Sequence, residues 1–165
     1  MQAILEAGAA APDHGQLRPF RFTILRDGGL DAFGAVLEEA YVRRCAEHGT
    51  TPNAARAQRE RTKLARAPLV IVVAAVRQES DKIPWQDQRD ATAAAAQNIL
   101  LAAHALGFGA MWRTGEDVCE DGYVKKALGL SSHDALVGFL YLGTPHERKP
   151  AKVLELAELV SEYRA

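Results

Sequence analysis

Apolar and polar positions divide the chain into helical and extended stretches. Residues 1–10 read as a helix with Ile4 and Leu5 on its inner face. Pro12 ends it, because the residue before a proline avoids helical backbone. In Phe20 to Leu25 the apolar Phe20, Phe22 and Ile24 alternate with polar neighbours, which predicts a strand. Asp27-Gly28-Gly29 reads as a turn. From Leu30 to Glu47 the period is helical, with Leu30, Phe33, Leu37 and Tyr41 on one side. Asn53 to Ala67 is arginine-rich and predicts a solvated helix, with Asn53 as its cap. Leu69 to Val76 is a continuous, largely β-branched run, as expected of a strand covered on both faces. Arg77 to Gln88 is polar and reads as a loop. Asp90 to Leu106 predicts a long helix whose alanines permit close packing. Gly107 to Gly115 then reads as a glycine turn, a short buried strand and a polar loop. Asp121 to Leu128 predicts a short helix closed by Gly129, and Ala135 to Gly143 a second buried strand. After residue 149 the apolar Leu154, Leu156, Leu159 and Val160 fit an extended arm or a short helix equally well.

This pattern implies one domain over residues 1–165, with four core strands among helices. A chain of 165 residues, nearly half of them apolar, suffices for one full core. The net charge of −1 supplies no field to gather nucleic acid or an anionic membrane. No apolar run approaches the ~20 residues of a membrane span. Cys45 and Cys119 are far apart and form no metal-type pair, so reduced thiols and a cytoplasmic setting are expected, with no metal. The first helix begins uncapped at Met1, and a lost upstream segment is expected.

One stretch carries chemistry. Trp112-Arg113-Thr114-Gly115 places a flat aromatic, a fixed positive charge, a hydroxyl and a permissive backbone at a strand end. Strand ends of this kind form cofactor sites in layered α/β folds. Taken alone, it reads equally as a buried tryptophan beside a surface arginine.

Four blocks in order add to this. They are Ala11-Pro12-Asp13-His14-Gly15-Gln16-Leu17-Arg18-Pro19-Phe20, Ala67-Pro68-Leu69-Val70-Ile71-Val72, Gly107-Phe108-Gly109-Ala110-Met111-Trp112-Arg113-Thr114-Gly115 and Val137-Gly138-Phe139-Leu140-Tyr141-Leu142-Gly143-Thr144-Pro145. Together they resemble the nitroreductase family, in its short, YdjA-like branch. The resemblance implies an α+β fold, three-layer α/β/α, in which a mixed sheet gains a strand exchanged from a partner subunit by the arm 149–165. It also implies an FMN-dependent oxidoreductase. Hydride would pass from NAD(P)H by way of FMN to nitroaromatic, quinone-like or other small electrophilic acceptors, in a homodimer with FMN at the subunit interface. The alternative is a non-catalytic flavin-binding or structural dimer. The family's Arg-Arg-Ser type segment, which holds the flavin phosphate ahead of the first block, does not occur in this sequence.

By the same resemblance, Ala10, His14, Arg18, Trp112, Arg113, Thr114 and Gly115 are cofactor contacts, His14 across the dimer. Read without it, His14 is a turn histidine and Arg18 a surface cation. Ala102, Ala103, His104, Ala105, Leu106 and Gly107 match a segment assigned to NAD(P)H in this branch. Their Gly107-x-Gly109 precedes a strand instead of opening a helix, so dimer packing is the stronger expectation for that helix. Tyr41 and Trp85 are expected either over the pocket or in the core. No nucleophile–base set is present, and transfer between bound cofactors asks for none.

Overall fold

The computed structural model describes residues 1–147 and 155–164. In chain order the main elements are α1 (Gln2–Ala9), β1 (Phe20–Arg26), α2 (Gly28–Glu47), α3 (Ala54–Thr62), β2 (Leu69–Ala75), α4 (Trp85–Ala105), β3 (Gly109–Arg113), α5 (Glu116–Cys119), α6 (Gly122–Ala127) and β4 (Ala135–Gly143). The four strands form one sheet in the order β1-β2-β4-β3. All three pairings among the described strands are antiparallel; the mixed sheet that was expected included a strand from a partner subunit, which one chain does not hold.

β2 and β4 are central, which explains their continuous apolar runs. Val70 and Val72 face one side, with Phe33 and Leu37 of α2, Val124 of α6 and Phe139 of β4. Ile71 and Val73 face the other, with Ile4 of α1, Ala96, Ile99 and Ala103 of α4 and Leu140 of β4. Helix, sheet and helix make the three layers. α1 and α4 meet at Gly8, where an added Cβ would lie 2.7 Å from Ile99 Cγ1. Asn98 Nδ2 donates to the Ala7 carbonyl at 3.1 Å across the same contact. Asn53 caps α3 as expected, accepting from the Arg56 amide at 2.9 Å.

Five expectations change. The alternation in β1 fails at Ile24, which is exposed; the buried residue there is Leu25, because α2 covers the opposite face. Gly28 and Gly29 belong to the first turn of α2, not to a turn before it. α4 starts at Trp85, after Pro84, and so takes in the end of the expected polar loop. Gln88 is buried there because Gln78 satisfies its whole amide: the Gln78 N–H donates to Oε1 at 2.8 Å and Nε2 donates to the Gln78 carbonyl at 2.9 Å. β3 is an open edge strand, not a buried one, with Met111 57% exposed. Among the described residues of the tail, Leu156–Glu158 forms a 3₁₀ turn, and Leu156, Leu159 and Val160 are all exposed. Residues 149–154 of the expected arm, Leu154 among them, lie outside the described residues.

Asp134 ties the entry of β4 to the exit of β2. Its buried carboxylate accepts from the amides of Arg77 (2.9 Å) and Ser131 (2.7 Å) and from Ser131 Oγ (2.9 Å). Burial pushes its pKa up, and these donors outweigh that, leaving it below the usual Asp value. A depressed folded pKa adds stability that is complete above the unfolded value and is lost as pH falls through the folded one. Asp134→Ala is expected to cost about 2 kcal/mol at pH 7, read from urea melts. The gap from wild type should narrow below pH ~4. A gap that stayed constant into acid would contradict the assignment.

Candidate functional site

The site is built where β3 leaves the sheet. Trp112 pairs with Leu140 and Arg113 with Phe139. The Trp112 indole turns toward the α4 layer, and its Nε1 donates to the Val137 carbonyl at 3.2 Å. That position needs Gly138: a Cβ there would lie 2.3 Å from Nε1. Beyond Arg113 the chain leaves strand geometry for Thr114 and Gly115, and α5 follows. The Gly115 carbonyl accepts from the amides of Val118 (2.9 Å) and Cys119 (2.7 Å), which anchors the loop to α5. Among the described residues, the amides of Thr114 and Gly115 donate to no backbone carbonyl outside the regular elements. Apart from its two chain neighbours, nothing lies within 4 Å of where a Gly115 Cβ would stand.

This loop forms one wall of a cavity of about 380 Å³. The facing wall is one side of α4: Gln86, Arg89, Asp90 and Ala93. Leu136 and Val137 supply an apolar floor, and Cys119 and Glu120 close an end. Gln86 Nε2 donates to Asp90 Oδ1 at 2.7 Å, which fixes both side chains on the rim. Burial pushes the Cys119 thiol up, so it stays protonated and is no nucleophile at neutral pH. Among the described residues no cluster of His, Cys, Asp or Glu could hold a metal ion, and no helix is long and apolar enough to cross a membrane.

The expected cofactor residues fall into two groups. Thr114 and Gly115 line the cavity, with Trp112 and Arg113 in the strand behind them. Ala10, His14 and Arg18 do not line it. Ala10 caps the C-terminus of α1 and is exposed. His14 Nδ1 lies 3.3 Å from Asp87 Oδ2, on the first turn of α4. Gln16 and Arg18 have positive φ (54° and 50°), held by Asp13 accepting the Arg18 amide and by Arg21 donating to the Arg18 carbonyl at 2.9 Å. The exposed His14 thus flanks the N-terminal turn of the helix whose next turns face the cavity, while Arg18 makes its contacts within its own loop and with Arg21.

Ala102 to Gly107 lie at the other end of α4, about 27 Å along the helix from Gln86 at 1.5 Å per residue. Ala103 is buried there, while His104, Ala105, Leu106 and Gly107 are exposed. Tyr41 is a core residue whose hydroxyl accepts from the Asn53 amide at 3.0 Å. Trp85 is half-buried at the start of α4 and does not line the cavity.

The polar wall of α4 was missing from the expected site. Its signal is present in the sequence: positions 86, 89, 90 and 93 share one helical face. Starting the helix at Asp90 cut that face in two.

Comparison with known proteins agrees with this architecture. The Nitroreductase family model matches residues 1–144. Escherichia coli (strain K12) "Putative NAD(P)H nitroreductase YdjA" is 37% identical over 145 residues, covering 88% of this chain and 75% of that protein. The crystal structure of a nitroreductase-like family protein from Bacillus cereus superposes with a TM-score of 0.79 at 20% identity, covering 98% of this chain and 82% of that one. A Desulfovibrio desulfuricans protein, described as "a putative nitroreductase in complex with fmn", superposes at 0.71 with 27% identity over 99% of this chain and 83% of its own. With four ordered sequence blocks, the layered fold and the strand-end cavity all in agreement with the family match, the chain belongs to the nitroreductase family.

Proposed function

We propose that this chain is an FMN-dependent NAD(P)H oxidoreductase of nitroreductase type, working in the cytoplasm as a homodimer with FMN at the subunit boundary. Small electrophiles of nitroaromatic or quinone-like character are the acceptors. The observation that carries this reading is the Thr114–Gly115 backbone. It presents amide groups free of backbone partners over open space, beside an apolar floor. A planar heterocycle can lie against such a glycine. The cavity volume falls in the ordinary range for ligand pockets.

FMN, when bound, supplies two-electron transfer between a nicotinamide and an acceptor. The chain's own residues position and bias that chemistry. The Thr114 and Gly115 amides would be the donors that hold a bound flavin. Arg113 favours negative charge on a bound ligand. Leu136, Val137 and Ala93 keep water from one face. Gln86 and Arg89 offer donors to an acceptor's oxygens. Ala10, His14 and Arg18 complete the site from a second subunit, because they stand outside the cavity of their own.

Exposed apolar residues support the dimer. Leu101, Leu106, Phe108 and Met111 line the end of α4 and the open edge β3, and Leu156, Leu159 and Val160 lie uncovered in the tail. Light scattering at micromolar concentration should give twice the chain mass; a stable monomer removes this part of the reading.

The decisive test is an absorption spectrum with FMN added, followed by NADPH or NADH under anaerobic conditions. A flavin band that bleaches supports the enzyme. Binding without bleaching supports a flavin-binding dimer instead, and no binding sinks both. Gly115→Val should weaken FMN about ten-fold, or ~1.4 kcal/mol, in a flavin fluorescence titration. The melting temperature should hold, because the new side chain enters open space.

A further inference from the structure

The Thr114–Gly115 loop has left strand geometry, so its place depends on α5. The Gly115 carbonyl accepts from the Val118 and Cys119 amides, and α5 is a single turn of four residues. A helix that short has no stability by itself and is held only by what it touches. On its inner side Val118 and Cys119 are buried in the cluster that α2 covers. On its outer side Asp117 reaches α3, where Arg56 Nη2 donates to Asp117 Oδ2 at 2.9 Å. Lys125 and Arg44 hold the next two carboxylates, Glu120 at 3.2 Å and Asp121, past the far end of the turn. Asp117 is the tie nearest the loop, two residues after Gly115.

Exposed ion pairs ordinarily contribute little, because two long side chains must be ordered to make them. Arg56 is ordered beforehand. Its guanidinium carbon stands 4.9 Å from the centre of the Tyr41 ring, within cation–π range. The buried Tyr41 is itself fixed, its hydroxyl accepting from the Asn53 amide at 3.0 Å. Asn53 Oδ1 in turn accepts from the Arg56 amide at 2.9 Å. Tyr41 thus sets the guanidinium and Asn53 sets the backbone, and the partner is a short aspartate. We infer that Arg56 is a positioning residue: stacked on Tyr41, it holds α5 through Asp117 and so fixes the Thr114–Gly115 amides, although neither Arg56 nor Asp117 lines the cavity. The inference rests on the ligand-binding reading of that loop. It makes affinity in the cavity depend on ionic strength even for an uncharged ligand, because salt screens an exposed pair.

Riboflavin is the probe, since it has no phosphate whose own contacts salt would weaken. Its affinity is measured by fluorescence titration on wild type, Arg56→Gln, Asp117→Asn and the double variant. At low salt each single variant should bind about three-fold more weakly, and the double variant no more weakly than either single one. In ~0.5 M KCl wild type should fall to the level of the variants. Asp117→Asn leaves the Tyr41 stack in place, so an effect shared by both single variants belongs to the pair and not to the packing of α3. Arg56→Lys should recover part of the loss at low salt. An unchanged affinity in either single variant overturns the inference, and so does an additive loss in the double variant. Hydrogen exchange without ligand separates this inference from the flavin reading. The Val118 and Cys119 amides should exchange faster in Arg56→Gln, with the β2 amides unchanged. If wild type binds no flavin, the reading above fails and the exchange alone decides. Faster exchange at Val118 and Cys119 then supports the tie, and equal exchange overturns it.

Discussion

Gly34→Ala should unfold the protein at a temperature lower by roughly 10 °C, a cost of about 3 kcal/mol. In the middle of a helix this change ordinarily helps, because alanine is the better helix former by about 1 kcal/mol. Here the new methyl would sit 2.0 Å from the Arg61 carbonyl oxygen and 3.1 Å from its carbon. Those are backbone atoms of α3, with no rotamer to move aside, so α2 and α3 must separate. Leu64, 1% exposed and packed in the cluster under α2, then loses part of its cover. The Arg61 pairs with Asp31 (3.0 Å) and Glu38 (3.5 Å) span the same contact, but surface ion pairs of this kind are worth little and cannot hold the helices together. Gly28 and Gly29 provide the contrast. They lie in the first turn of the same helix with nothing within 4 Å of a built Cβ, so alanine there should be neutral or mildly stabilising. Equal melting temperatures for Gly34→Ala and Gly28→Ala would refute the close approach.

How far the chain can be read without coordinates depends on what each signal requires. β2 and β4 are plain because a strand covered by helices on both faces is apolar at every step, and no distant residue is needed to see it. β4 runs over Ala135–Gly143, the span its apolar run marks out. The Asn53 cap and the Gly129 stop of α6 are equally local. The start of α4 is not local. Gln86 to Gln88 look like loop until Gln78 is found to satisfy the Gln88 amide, and hiding that helical turn hid the polar wall of the cavity. β3 misleads for the opposite reason. Its apolar residues read as buried, yet it is the sheet edge, open among the described residues. The pairing of His14 with Asp87, 73 residues apart, leaves no trace in spacing. The chemistry at Trp112 to Gly115 was visible as residue types; the freedom of the Thr114 and Gly115 amides from backbone partners was not.

Gly138→Ala is the sharpest probe of that strand end. Its Cβ would meet Trp112 Nε1 at 2.3 Å, Trp112 Cδ1 at 2.8 Å and the Arg113 carbonyl oxygen at 3.0 Å, at a φ of +157°. The indole is held by its bond to the Val137 carbonyl and by the packing of the α4 layer. It can move only by giving up both, and β3 then lifts from β4 at Arg113↔Phe139, one residue before Thr114. We expect a cost of about 3 kcal/mol in urea melts, with loss of FMN binding at concentrations that saturate wild type. A double-mutant cycle assigns the cause. If the indole is the obstacle, Gly138→Ala should cost far less in a Trp112→Ala background, with only the contact to the Arg113 carbonyl remaining. An equal cost in both backgrounds would place the strain in the β4 backbone. In that case Trp112 would be a passenger, and the link from the sheet interior to the Thr114–Gly115 loop would have to run through Arg113 alone.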